Sequence, residues 1–241
     1  MAVADNGERD LELSRLFALT VRALLRRPVT ALLLATLTVV VPSGLFYRFV
    51  PLPPDNMFSA ALIIHLLGSL ALISLSAILY GWMAVQFVGA SDSPLVEVVK
   101  RAPSLFATMF VVTLVLLLGI LALVVPGAIW GVATAVVVPA AAVERLGTTR
   151  AIVRSFDLTE NRRWIILGFS ILAMLPLVLA VTAFEFVLNG WRLFPAQENP
   201  FITTVTRPVT DVLLSLWGAA LGAALYVELT RLPPIRPANA S

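Results

Sequence analysis

The chain reads as an all-α, polytopic membrane protein. It has six transmembrane helices, an N-terminal amphipathic helix in the membrane interface, and both termini in the cytoplasm. Three observations lead there. Of its 241 residues, 59% are hydrophobic and 13% charged, with a mean hydropathy of +0.95, whereas a soluble domain carries roughly 25% charged residues. Nearly charge-free runs lie between Arg27 and Arg48, Asp55 and Asp92, Arg101 and Glu144, Arg163 and Glu185, and Pro208 and Glu228. Each can cross a hydrocarbon layer of about 30 Å, which takes about 20 residues of helix. Finally, Arg145, Arg150, Arg154, Arg162 and Arg163 crowd one connector between two of these runs. That much positive charge stays on the cytoplasmic side.

Composition also excludes. There is no cysteine, so disulfides and thiolate metal sites are ruled out. A net charge of +3 and a pI near 9.9 do not point to nucleic acid, because the arginines gather at the ends of apolar runs. That is the pattern of topology and anionic headgroup contact.

Residues 1–28 precede the first span. Charges of both signs from Asp5 to Arg27 make a cleavable signal a poor fit. Leu13, Leu16, Phe17, Val21 and Leu24 recur at helical spacing, with Arg15, Arg22 and Arg26 on the opposite side. The expectation is a helix in the cytoplasmic interface, its arginines on anionic headgroups. Docking on another part of the chain is the alternative.

The membrane domain, 29–229, divides into spans at about 29–47, 57–88, 103–125, 127–143, 164–188 and 208–229, leaving 230–241 as a cytoplasmic tail. The Arg101–Glu144 run is about twice the needed length, and Pro126-Gly127 near its middle is a turn pair, so it reads as a hairpin. The Asp55–Asp92 run has no such pair and reads as one long, tilted helix. Ser93-Pro94 then opens a short cytoplasmic helix that Pro103 ends. With six spans, 14 of the 17 basic residues are cytoplasmic; only Arg48, Arg192 and Arg207 are outside. A single crossing of the longest run would place the five-arginine connector outside, against the positive-inside rule.

Trp164 and Trp191 bracket the fifth span as an aromatic belt, and Pro176 is expected to kink it. Gly127-x-x-x-Gly131 and Gly218-x-x-x-Gly222 put small residues on one face of the fourth and sixth spans, which suits close helix packing within the chain. In the connector, Thr149, Ile152, Val153 and Phe156 make an apolar face opposite Arg150, Arg154 and Asp157. The reading is a short amphipathic cytoplasmic helix, with Thr159 or Asn161 capping the fifth span.

The order VVPAAAVERLGTTRAIVRSFDLTENRRWIILG, Val137 to Gly168, resembles a pattern found in a broad group of bacterial six-span proteins. That group includes the membrane domain attached to some glycerophosphodiester phosphodiesterases. The matching positions are Pro139, Glu144, Gly147, Ala151, Arg154, Ser155, Leu158, Thr159 and Trp164. The resemblance is sharp over about thirty residues and loose elsewhere. It implies a six-span fold in a bacterial inner membrane and carries over no catalytic residue, since the phosphodiesterase activity belongs to a separate soluble barrel.

No nucleophile–base pair, P-loop or metal-ligand motif is evident, and there is one histidine, His65. The expectation is a non-catalytic protein without cofactor or metal. It organises lipid, or supports another membrane or cytoplasmic protein, through a basic face formed by Arg145, Arg150, Arg154, Arg162, Arg163, Arg22 and Arg26. The alternative is a small-solute or proton-coupled transporter component. Its outer-side site would draw on His65, Glu185, Asp211 and Arg192, because ionisable groups at membrane depth often mark a pathway.

Overall fold

The computed structural model describes residues 13–49, 60–122, 124–188 and 206–231. These are helical, with no strand among them. Helix α1 is Leu13–Leu25, α2 Pro28–Ala35, α3 Val41–Phe49, α4 Ala60–Leu75, α5 Ala77–Val88 and α6 Pro94–Lys100. They are followed by α7 Ala102–Ala122, α8 Val124–Ala133, α9 Val137–Val143, α10 Thr148–Thr159, α11 Arg163–Leu188 and α12 Arg207–Arg231. Six stretches are long and apolar enough to cross a membrane: Pro28–Phe46, Ile63–Val88, Ala102–Ala122, Val125–Val143, Arg163–Leu188 and Pro208–Arg231. The protein is a multi-pass membrane protein.

Three of these spans are interrupted, each where its sequence strains a regular helix. In the first, α2 and α3 are joined by a π-helical turn, Thr36–Val40, in which the Val41 N–H bonds to the Thr36 carbonyl. Pro42 follows directly, and a proline ring crowds the carbonyl four residues earlier. Widening the turn relieves that crowding. In the second span the break is at Ser76, whose N–H and hydroxyl both bond to the Ile73 carbonyl, at 3.1 and 2.6 Å. Serine hydroxyls that bond back to the preceding turn bend helices. The fourth span breaks over 134–136, and the cause is Pro139, which has no N–H for the Ala135 carbonyl.

The hairpin of the third and fourth spans forms, but its turn is not at Pro126-Gly127. Helix α7 ends at Ala122 and α8 begins at Val124, so Pro126 and Gly127 both lie in the first turn of α8. Proline is tolerated there because its missing N–H has no intrahelical partner to lose. Gly127 serves the packing instead. A Cβ on it would lie 2.7 Å from the Ile120 nitrogen, and one on Gly119 would lie 3.1 Å from the Gly127 Cα, so the two backbones touch. Pro103 likewise lies in the first turn of α7, which begins at Ala102; α6 ends at Lys100. Pro94 is the first residue of α6, but Ser93 makes no side-chain cap bond.

The core lies in the half of the bundle that carries the connector. There α5 is buried from Leu79 through Gln86 apart from Tyr80, α9 from Val137 to Ala142, and α12 from Ala219 to Tyr226. Alanine and glycine let these three helices approach closely. Tyr80 sits against Gly218, and Gly222 faces the Pro139 ring and the free Ala135 carbonyl. Gly131 meets only a Leu116 methyl, 3.4 Å from where its Cβ would be. In the other half, Leu117, Leu118, Leu121, Ile171, Leu172 and Leu179 are exposed, the surface expected to face lipid.

Helix α1 packs against α12, burying Leu16, Thr20 and Ala23. Phe17 meets the Trp217 ring at 5.8 Å and Arg15 pairs with Glu228 at 3.2 Å. This is the docked arrangement, and it leaves Leu13, Phe17 and Leu25 exposed. Helix α11 is the most loosely held span: only Ile166 and Phe169 are buried. Pro176 lies within it without ending it, and the Ala173 carbonyl, one turn earlier, accepts the Trp217 indole N–H at 3.1 Å.

Candidate functional site

The connector is knitted into the bundle. Helix α10 does not present the face read from its sequence. Ala151, Ser155, Leu158 and Thr159 are buried, and Val153 is 56% exposed. The reason is the break in the fourth span. Val137 donates to the Thr134 carbonyl, which leaves the Ala133 carbonyl without its helical partner. The Ser155 hydroxyl donates to it at 2.8 Å, with Thr159 Oγ1 at 3.4 Å. A buried carbonyl without a donor is costly, and this demand outweighs the apolar stripe that hydrophobicity alone would bury. Thr148 and Thr108 hydroxyls meet at 3.0 Å, and Phe156 stands edge-on to Trp130 at 5.5 Å. Neither Thr159 nor Asn161 caps the fifth span. The Thr159 hydroxyl bonds backward, and Asn161 adopts φ 60°, turning the chain between α10 and α11.

Most connector arginines are committed to the protein. Arg154 Nε lies 3.0 Å from both Glu144 oxygens, and the same carboxylate accepts the Tyr226 hydroxyl at 3.0 Å. This ties α9, α10 and α12 together. Arg145 pairs with Glu97 at 3.1 Å and has φ 57°, the left-handed position that closes α9. Arg162 is buried. Two basic residues outside the connector bind helix ends, where unbonded carbonyls collect negative partial charge. Arg26 donates to the Gln86 and Phe87 carbonyls at 2.9 and 2.7 Å, and Arg101 to the Ala141 carbonyl at 2.8 Å. Of the expected basic face, Arg22, Arg26, Arg145 and Arg150 are exposed, Arg26 and Arg145 while holding the partners just named; Arg27 and Lys100 are exposed too.

Arg163 differs from the rest. Its guanidinium stacks over Phe156, 5.2 Å from the ring centroid, while its Nε is buried without a hydrogen-bond partner among the described residues. It forms one wall of an apolar groove of about 370 Å³ between α8 and α11, with Val125, Ile129, Val132, Trp164 and Leu167. Trp164 is 76% exposed. The Arg163–Phe156–Trp130 stack ends on the Val112 carbonyl, which accepts the Trp130 indole N–H at 3.1 Å. Val112 is about 16 Å along α7 from Arg101. Trp191, the expected partner of Trp164 in an aromatic belt, lies outside the described residues.

A second feature lies where the π-turn of the first span faces the Ser76 break of the second. A cavity of about 330 Å³ opens there against the start of α12, lined by Ser43, Ser69, Ser76, Tyr80, Asp211 and Ser215 among apolar neighbours. Of the polar residues expected to form an outer site, Asp211 is at this cavity. His65 packs against Phe46, ring centroids 5.4 Å apart. Glu185 lies near the end of α11. Neither lines the cavity, and Arg192 lies outside the described residues.

The sequence names Glu144 only as a matching position of the resemblance, and Glu228, Tyr226 and the four serines of the cavity carry no role there. Two carboxylates bordering a face rich in arginine were a usable signal, since they need partners there. Serines in apolar runs gave none, because hydroxyls commonly bond to their own helix. No protein-family model matches the chain, and neither a curated protein nor a solved structure is detectably similar to it.

Proposed function

We propose that the protein is a non-catalytic component of a bacterial inner membrane that holds anionic lipid at its cytoplasmic side and thereby organises lipid or a partner protein. The observation that carries this reading is Arg163: a cation beside an apolar groove, without a carboxylate partner among the described residues. A buried guanidinium N–H without a hydrogen-bond partner is costly unless an anion or water reaches it. A lipid meets both needs, with its phosphate on Arg163 and an acyl chain along Val125, Ile129 and Val132. Arg22, Arg27, Arg150 and Lys100 would add headgroup attraction of the kind that basic residues near a membrane surface provide. The exposed Leu13, Phe17 and Leu25 of α1 support interfacial contact. The excess of basic residues on the connector side supports N-in, C-in topology.

The test is native mass spectrometry of the protein released from nanodiscs containing phosphatidylglycerol and phosphatidylcholine. Phosphatidylglycerol should be retained in preference, and Arg163→Gln should abolish that preference while leaving the thermal melting in place. Equal retention by the folded variant would remove the reading.

A further inference from the structure

We propose that the groove at Arg163 selects phospholipid by charge number. It holds a lipid with a single anionic phosphodiester, one chain of which lies in the groove, and Phe156 is the positioning residue for the guanidinium that reads it. This rests on the lipid reading of the groove and adds the class of anionic lipid that it takes.

Charge sets the class. Among the described residues, Arg163 is the one charged side chain in the lining. Of the other connector arginines, Arg154 is held by Glu144 at 3.0 Å and Arg145 by Glu97 at 3.1 Å. Arg162 is buried and engaged, and Arg150 is exposed, outside the lining. Apart from the Trp164 indole, the rest of the wall is apolar. One unit of positive charge therefore faces the occupant. A phosphodiester carries one negative charge, whereas a phosphate monoester carries about 1.5 to 2 near neutral pH. The surplus charge of a monoester would stand against Val125, Ile129 and Val132 without a partner, and burying an unpaired charge is expensive.

The guanidinium is also fixed in its plane. Phe156 covers one face, its ring centroid 5.2 Å from Cζ. Behind Phe156 stands Trp130, whose indole N–H is anchored on the Val112 carbonyl at 3.1 Å. All five N–H groups of an arginine lie in the guanidinium plane, so the stack leaves the edges open. On one edge Nε is buried without a hydrogen-bond partner. Two oxygens of a phosphate meet such an edge in a bidentate way that a lysine ammonium does not reproduce. The space beside it suits one chain. The lining from Val125 to Val132 covers about 10 Å of α8, and the volume, about 370 Å³, is near the lower end of the range for small-molecule pockets. Val125, Ile129 and Trp164 are exposed, so the groove is open at its side and the second chain of a diacyl lipid stays in the bilayer.

The unaltered chain would be placed in phosphatidylcholine nanodiscs holding equal amounts of phosphatidylglycerol, phosphatidic acid and cardiolipin, and the retained lipid identified by native mass spectrometry. Phosphatidylglycerol should be retained over phosphatidic acid by about tenfold or more. Cardiolipin, whose second phosphodiester has no cation to meet, should be held no more tightly than phosphatidylglycerol. Preference for phosphatidic acid or cardiolipin, with anionic lipid still retained over phosphatidylcholine, overturns the charge rule and leaves the lipid reading in place. No preference over phosphatidylcholine removes both. Phe156→Leu should lower phosphatidylglycerol retention severalfold without changing that of phosphatidylcholine, and Phe156→Tyr should restore it. Equal loss of both lipids, or no loss in the folded Phe156→Leu variant, overturns the positioning role. Arg163→Lys, which keeps the charge without the planar fork, should lose phosphatidylglycerol as Phe156→Leu does. Because the lipid competition uses the unaltered chain, no variant has to fold for the charge rule to fail.

Discussion

Gly127→Ala is the sharpest test of how the third and fourth spans meet, because Gly131 in the same helix is its control. Replacing glycine by alanine inside a helix ordinarily gains roughly 0.5–1 kcal/mol. At Gly131 the new methyl would stand 3.4 Å from a Leu116 methyl, which a leucine rotation accommodates, so the gain should survive. At Gly127 the methyl would stand 2.7 Å from the Ile120 nitrogen and 3.0 Å from its Cα. Ordinary contact begins near 3.4 Å, so α7 and α8 must separate by roughly 0.7 Å against backbone that cannot rotate away. Overpacking of this kind costs about 1–3 kcal/mol. Helix propensity is common to both substitutions, so the difference between them isolates that cost. Reversible unfolding in mixed dodecylmaltoside–SDS micelles, followed by tryptophan fluorescence, measures it. Equal stability for the two variants would show that the helices do not touch at Gly127.

Three other outcomes follow from the connector. Ser155→Ala removes the principal donor to the Ala133 carbonyl and should lower stability by about 1 kcal/mol in the same unfolding assay, whereas Val153→Ala, on an exposed site, should change little. Glu144→Gln and Arg154→Gln should each destabilise. In a double-mutant cycle they should couple by on the order of 1 kcal/mol, since the pair is partly exposed and that screens it; additive losses would remove the ion pair from the account. Because the chain has no cysteine, Arg150→Cys creates a unique thiol. A membrane-impermeant maleimide should leave it unlabelled in intact cells and label it in inverted vesicles. The reverse pattern would refute the proposed orientation.

The six spans were legible because hydrocarbon sets a length threshold that few sequences meet by chance, and because the arginines limit how the runs can be threaded. What happens inside a span was not. Pro126-Gly127 reads as a turn by local chemistry, yet in hydrocarbon a proline in the first turn of a helix loses nothing, and the glycine is used for backbone contact. The breaks at Ser76 and at 134–136 arise from hydroxyl back-bonding and from Pro139 acting on Ala135, and hydropathy registers neither. The wrong face was assigned to α10 because an amphipathic pattern counts carbon, whereas Ser155 and Thr159 are drawn in by a carbonyl on a different helix. The arginines that seemed free were for the most part answering needs invisible in one dimension: Glu144, Glu97 and the frayed ends of α5 and α9. For the cavity, Asp211 was visible as an ionisable residue near the start of a span. The hydroxyls around it were not, because they converge only through the irregular turns that could not be foreseen.

Helix α12 is the sixth of the spans among the described residues, and α1, the first span and α5 all pack against it. During synthesis, therefore, the earliest helices leave the ribosome long before their main neighbour exists. Until α12 inserts, α5 can close on α9 but Leu16 lacks its principal neighbour, and Arg15 waits for Glu228. A product that stops short of α12 would keep the packing of α5 on α9 and α7 and would lack the helix that closes α1, α2 and the other side of α5.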